Sequence, residues 1–405
     1  MDKKKYYSWI LYDWANSAYA TIVLAGFFPI IFAEYYAANF QETTRTLILG
    51  IANSSASLIL IVFAPILGII ADRKNNRKLF LIFFALLGIT STFLLSFAGQ
   101  DNWALASVFF SISLLGFMLS NVFYDSMLLT FDNKESYDTI SSYGYAFGYL
   151  GGGVAFVLSI LFLVINEGST YDLIINKKLV FIFASIWWFI FMIPMILFWD
   201  KSSHFPTPKQ YSLKDTFIDI FNNKTIFYFL FAYWIYIDGV DTIIRMAVNY
   251  GLTLGFTSND LLLALLITQF VAFPGTLLVN KIAQFKSTEF GIIFCLVIYL
   301  IITVISYTLS TLEEFFIIAV MIGLVQGGIQ ALSRSYFSTL IPSGRDCEYF
   351  GVYNMLGKFA ALLGPLLVGF ITYLSGSTRI GILSLSIFFI IGIYLFKKHE
   401  HLKLS

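Results

Sequence analysis

Twelve stretches of this chain are apolar for about as long as a bilayer is thick. A hydrocarbon core of ~30 Å takes about 20 residues of helix. Runs of that order fall at 8–37, 47–71, 79–99, 103–125, 141–165, 179–199, 225–250, 259–280, 288–309, 314–338, 349–374 and 380–396. They are numbered spans 1 to 12 in chain order and are joined mostly by short polar turns. A spanning segment must satisfy its own backbone polar groups, so each run is expected to be a helix. The longest imply tilt. Of the 405 residues 58% are hydrophobic and only 12% charged, about half the ~25% of a soluble chain. A soluble globule could not cover itself with so little polar surface. The expected fold class is an all-α membrane protein. Disorder, a secreted disulfide scaffold and nucleic-acid binding by net charge are excluded, the net charge being +1.

Lys3 to Lys5 followed by an apolar stretch and Ala18-Tyr19-Ala20 mimic a signal peptide. The run contains Asp13 and Asn16 and continues to about Tyr36, so an uncleaved first span is expected. With the N-terminus in the cytoplasm, the cytoplasmic segments carry 18 of the 25 lysines and arginines. The other side carries Arg45, Lys177, Lys178 and Arg379. The positive-inside bias therefore puts both termini in the cytoplasm. The segment 201–224 divides residues 1–200, an N-terminal six-helix bundle, from 225–405, a C-terminal one. It holds Pro206 and Pro208, then Ser212 and Asp215 at capping-box spacing. Leu213, Phe217, Ile220 and Phe221 share a face opposite Lys214 and Asp219, which predicts a short helix on the membrane surface.

The halves repeat each other. Asp13 aligns with Asp238, Asn16 with Asp241 and Ser17 with Thr242. Gly116 matches Gly323, and Gly144 matches Gly351, both 207 residues apart. GIIADRKNNRK, from Gly68 to Lys78, has a worn partner in NKIAQFK, where Ala283 matches Ala71 and Gln284 replaces Asp72. Six plus six helices as a duplicated unit is a transporter architecture, with the site between the halves near the midplane.

GIIADRKNNRK resembles the loop 2–3 motif of the major facilitator superfamily, G-x-L-A-D-R-x-G-R-R/K. Gly68, Ala71, Asp72, Arg73 and Arg77 match, and Asn75 replaces the second glycine. YDWANSAYAT, SSYGYAFGYLGGG, YIDGVDTIIRMAVNYG, QGGIQALSRSYFSTLIP and FGVYNMLGKFAALLGPLLVG resemble one branch closely. That branch is the "unknown major facilitator" group, which includes the autophagy-related vacuolar amino-acid effluxers. The resemblance covers nearly the whole chain and implies two pseudo-symmetric six-helix bundles. It also implies efflux of neutral amino acids such as leucine. The chain lacks long loop insertions, like a bacterial member, which implies a bacterial inner membrane. By resemblance, the gating motif Gly68, Asp72, Arg73 and Arg77 pairs Asp72 with neighbouring helix ends and stabilises the outward-open state. The superfamily's antiporter motif places Gly-Pro on span 5, where this chain reads GYLGGG, so drug–proton antiport is not supported.

A charge near the bilayer centre costs ~3 kcal/mol or more and needs a partner or a wet cavity. The embedded set is Asp13, Asp238, Asp241, Arg245, Arg334 and Lys358, with Asp125 at a cytoplasmic end. Asp238, Asp241 and Arg245 lie at i, i+3 and i+7 on span 7, where Asp241 and Arg245 can pair. Asp238 sits ~21 Å past Lys224 along the axis, near mid-membrane. On span 10, Gln326, Gln330 and Arg334 recur at helical spacing. On span 11, Lys358 lies near Asn354. An arginine can hold a carboxylate through two parallel hydrogen bonds. A zwitterion needs one anion and one cation site, and both are supplied. The candidate substrate and ion site is therefore Asp13, Asn16, Asp238, Asp241, Arg245, Gln326, Gln330, Arg334, Asn354 and Lys358. An unpaired Asp238, or Asp13, is the candidate proton carrier. The aromatic stretch Tyr6 to Trp14 is read as an interfacial anchor, with lining of the site as the alternative, and the span 5 glycines as packing sites.

The expected activity is secondary transport of a small polar solute, an amino acid by resemblance, by alternating access with protons as candidate coupling ion. The alternatives are another organic anion, held by Arg334 and Lys358, or a metabolite, moved by uniport or exchange, and a sensor. A membrane enzyme is disfavoured, since no histidine lies in a span and no nucleophile sits beside a base. No phosphate-binding G-x-x-x-x-G-K-[ST] occurs. No metal or cofactor is expected. The partners expected are a small molecule and the lipid bilayer, with no nucleic acid and a monomeric state.

Overall fold

The computed structural model describes residues 3–131, 134–165, 173–199 and 212–404. Among them are twelve helices long and apolar enough to cross a membrane. They are Lys3–Tyr36, Leu47–Lys74, Arg77–Leu95, Trp103–Thr130, Tyr137–Ile165, Lys178–Phe198, Lys224–Thr253, Asn259–Phe285, Thr288–Thr308, Leu312–Leu340, Asp346–Ser375 and Thr378–Lys403. Several overrun their apolar runs by a turn, because long basic side chains reach the interface while the backbone keeps its helical hydrogen bonds. Span 1 is continuous but partly π-wound, over Tyr19–Phe27 and Phe32–Tyr36.

Two apolar cores form. One draws on spans 1 to 6 with Cys347 of span 11, the other on spans 7 to 12 and the preceding Ile220. Between them span 2 packs on span 11, span 5 on spans 8 and 10, and span 4 on span 11. The contacts of spans 2 and 11 gather at one end. A Cβ at Gly68 would meet the Cys347 carbonyl oxygen at 2.4 Å, and one at Gly351 would meet the Ala64 carbonyl at 2.7 Å. Only glycine admits backbones this close. Toward the opposite end, Gly50 on span 2 and Gly369 on span 11 have nothing within 4 Å of a Cβ.

The expected linker helix is present as Leu213–Asn222, with a capping box formed by Ser212 and Asp215. The bonds from the Ser212 backbone amide and hydroxyl hold the Asp215 carboxyl below the usual carboxylate range. The helix is docked on the protein as well as amphipathic. Thr216 and Ile220 are buried, Thr216 bonds Glu348, and Arg345 bridges Asp219 and Glu348. Asp219, read from sequence as part of a solvent face, is thus an anchor. Residues 201–211 with Pro206 and Pro208 lie outside the described residues.

Candidate functional site

A cavity of about 280 Å³ opens between the two cores, lined by spans 1, 4, 5, 7, 8, 10 and 11. Seven of the ten substrate or ion residues expected from sequence line it: Asp13, Asn16, Asp241, Gln330, Arg334, Asn354 and Lys358. Asn16 donates to Asn121 Oδ1 at 2.7 Å, and Tyr149 donates to Gln330 Oε1 at 2.6 Å. Tyr124, Tyr145, Tyr149, Tyr233 and Tyr353 also line it. Their rings supply apolar walls whose hydroxyls can still bond a polar solute.

The floor is built around Arg334, which is 1% exposed. Its Nε donates to Ser141 Oγ at 2.9 Å, one terminal nitrogen to the Ser141 carbonyl at 3.0 Å and the other to Asp125 at 3.0 Å. Asp13 stands 3.8 Å from that last nitrogen and accepts the Tyr124 hydroxyl at 3.0 Å. Asn354 donates to the other oxygen of Asp125 at 3.1 Å. The guanidinium lies 4.2 Å from the Tyr145 ring centroid and 4.8 Å from that of Trp9. Span 5 comes this close because Gly144 has no side chain: a Cβ there would meet Trp9 at 2.7 Å and Asp13 at 3.0 Å. A charge taken from water is offset only when its donors and acceptors are nearly all met, and here one cation and two anions tie spans 1, 4, 5 and 10 together.

Three expected site residues fall elsewhere. Asp238 is 1% exposed and outside the cavity. Its Oδ1 accepts the Gly364 amide of span 11 at 2.8 Å and the Thr242 hydroxyl at 3.3 Å. It bonds the backbone of span 11 one residue before Pro365, which lies inside that continuous helix. Asp238 and Asp241 differ by ~60° around a helix of 3.6 residues per turn, which separates a side chain facing span 11 from one facing the cavity. Arg245, ~10 Å past Asp238 along the axis, is exposed and makes no ion pair with Asp241. Gln326 is buried outside the cavity, its Oε1 unpaired among the described residues. The aromatic anchor reading also needs correction. Trp9 and Tyr12 are fully buried, and Trp9 stacks on Tyr124 at 4.4 Å. Trp9 offers its ring to the Arg334 guanidinium, and Tyr12 packs against Tyr124 behind it. Tyr7, 58% exposed, does face outward.

A second polar cluster lies where spans 2 and 11 meet. Asp72 accepts the backbone amides of Cys347 and Glu348 at 3.1 and 2.9 Å. These belong to the first turn of span 11, where the helix dipole also favours an anion. Arg77 bridges Asp72 at 3.3 Å and Asp346 at 2.5 Å, and all three are buried. Arg73 is exposed. Sequence reasoning placed Asp72 and Arg77 here but not Asp346.

Twelve spans in two packed halves, with a polar cavity between them, define a transporter of the major facilitator superfamily (MFS). The fold is that of FucP, an MFS transporter in the outward conformation, at TM-score 0.74, 13% identity and 98% and 97% of the two chains. It also matches the human organic anion transporter MFSD10 at TM-score 0.73, 10% identity and 97% and 98% coverage. Within that class, the family described as "Vacuole effluxer Atg22 like" matches residues 1–400, and the chain belongs to it. An uncharacterized MFS-type transporter, YxiO of Bacillus subtilis, is 37% identical over 95% of this chain and 92% of its own. Autophagy-related protein 22 of Kluyveromyces lactis is 22% identical over 79% and 72%.

Proposed function

We propose that this protein carries a small zwitterionic solute, a neutral amino acid, across a bacterial inner membrane by alternating access coupled to protons. Residues 1–200 and 225–405 rock as units about 201–224, and the protein acts as a monomer with both termini cytoplasmic. One observation carries the substrate class: Asp241 and Lys358 line the same cavity, and neither has an ion pair within 4 Å among the described residues. An ammonium group pairs with Asp241 and a carboxylate with Lys358. The organic-anion alternative is weaker, because all three directions of the Arg334 guanidinium already meet Ser141 or Asp125. Resemblance to the vacuolar effluxers supports a neutral amino acid such as leucine.

In the transport cycle, Asp72, Arg77 and Asp346 clasp the cytoplasmic end, and the Arg334 floor lies between that clasp and the solute. Bound solute shifts the balance between the sealed state and one in which both layers open. A thermal-shift screen of amino acids, small acids and nucleosides tests the class, since a ligand preferring the folded state raises its melting temperature. Neutral amino acids are expected to stabilise the protein, and Lys358→Ala to weaken that binding about 10- to 100-fold, a charged hydrogen bond being worth ~1.5–3 kcal/mol. Stabilisation by dicarboxylates or nucleosides alone, or unchanged affinity in Lys358→Ala, contradicts the reading.

A further inference from the structure

Five permanently ionisable groups border the cavity: Asp13, Asp125, Asp241, Arg334 and Lys358. The other titratable lining groups are tyrosines, neutral near pH 7. Three acids thus face two bases, an excess of one negative charge. An uncompensated carboxylate inside a membrane costs ~3 kcal/mol or more, and one bound proton removes it.

The geometry distinguishes the three acids. Asp125 accepts from Arg334 at 3.0 Å on one oxygen and from Asn354 at 3.1 Å on the other, two donors that favour its ionised form. Asp241 shares the cavity wall with Lys358. Among the described residues Asp13 accepts a hydrogen bond only from the Tyr124 hydroxyl, at 3.0 Å, and its nearest guanidinium nitrogen, at 3.8 Å, already donates to Asp125. Every element against Asp13 is accounted for. Span 4 brings Tyr124 and Asp125, span 10 brings Arg334, and span 5 brings Gly144 and Gly148 with Tyr145 alongside. Span 6 meets span 1 through Trp187 and Trp188, which do not titrate. Across the cavity stand Asp241 and Lys358. Asp13 also lines the cavity, so water reaches it.

We infer that Asp13 is the proton site of this transporter, competing with Asp125 for the single guanidinium of Arg334. This rests on the proton coupling proposed above and names the group that performs it. A proton from cavity water adds to a carboxylate oxygen of Asp13 and removes its attraction for Arg334, so the floor is held by Asp125 alone. When the proton leaves, two carboxylates of the first half draw on one arginine of the second, and the floor tightens. The proton is thereby read by the layer that separates the cavity from the clasped end.

Infrared difference spectroscopy on the ligand-free protein in lipid vesicles, titrated with pH, tests this without a substrate. A protonated-carboxyl C=O band that titrates in wild type is expected to vanish in Asp13→Asn, to return shifted in Asp13→Glu, and to persist in Asp241→Asn. Absence of the band in wild type, or its persistence in Asp13→Asn, overturns the assignment. A flux measurement with L-leucine in proteoliposomes adds a second readout. One proton per solute supports up to about tenfold accumulation per pH unit, since a tenfold ratio is ~1.4 kcal/mol. Asp13→Asn is expected to bring that ratio to one, and wild-type accumulation in this variant overturns the inference. If wild type moves no L-leucine, the amino-acid reading fails while the infrared result still decides the proton site.

Discussion

Two clasps hold the same end of the molecule shut, and they are built from opposite materials. In one, the facing ends of spans 2 and 3 reach span 11 through buried charges: Asp72, Arg77 and Asp346 with the Cys347 and Glu348 amides. In the other, the ends of spans 8, 9 and 10 reach span 5. Gln284 donates to the Thr139 hydroxyl at 2.7 Å, and Asp138 accepts Thr288 and Ser335, each at 2.5 Å. Gln284 stands where the repeat aligns Asp72, and Thr139 lies 207 residues before Asp346, the offset that relates Gly144 to Gly351. Duplication has preserved the geometry while the chemistry diverged. A buried ion pair is costly to break from one side, whereas an exposed amide–hydroxyl bond exchanges readily with water. The clasp built on Asp72 and Arg77 is therefore expected to cost more to open than the Gln284–Thr139 contact.

The largest expected effect lies under the cavity, where the halves share Arg334. Arg334→Ala leaves Asp13 and Asp125 buried without their cation, which costs ~3–5 kcal/mol. A marked fall in melting temperature of the purified protein is expected, together with loss of transport. A variant as stable as wild type would show that the floor contributes nothing to holding the halves together.

Next come the clasps themselves. Asp72→Ala strips acceptors from two buried amides and one partner from Arg77, at ~1–3 kcal/mol for each polar group left unsatisfied. Gln284→Ala removes one exposed bond, worth ~1 kcal/mol or less. Urea or thermal unfolding of both variants measures the contrast. Equal losses would mean that the two clasps are energetically alike despite their different chemistry.

The smallest effect is at the linker helix. The Asp215 carboxyl is held below its ordinary range by Ser212, so its contribution is present above the unfolded-state value and is lost as pH falls through the lower folded-state one. Asp215→Asn is expected to abolish that acid dependence and to raise exchange of the 213–222 amides, measured by hydrogen exchange. Wild-type pH dependence in the variant would assign the effect to another carboxylate.

Sequence carried the spans, because twelve long apolar runs admit few alternatives. It also carried most of the charged lining, because Asp13, Asp241, Arg334 and Lys358 stand out against hydrocarbon. It did not separate Asp238 from Asp241, since a shared helical face is wider than the difference between a cavity and a neighbouring helix. The five lining tyrosines were hidden in a chain that is 19% aromatic. Asp125 was visible as an embedded acid, but only its bond to Arg334, 209 residues away, makes it a partner. The Arg345 anchor of the linker helix depends on the same kind of distant contact, with Asp219 126 residues away.

Native Cys347 offers the most direct measurement. It is fully buried between Gly68 and Ser126 at the charged clasp, and the other cysteine, Cys295, is buried within the second core. The rate at which a water-soluble maleimide labels Cys347 reports how often the clasped end opens. Slow labelling in wild type and labelling at least several-fold faster in Asp72→Ala, with Cys295 protected in both, is the predicted result. Equal rates in the two proteins would contradict a seal held by Asp72.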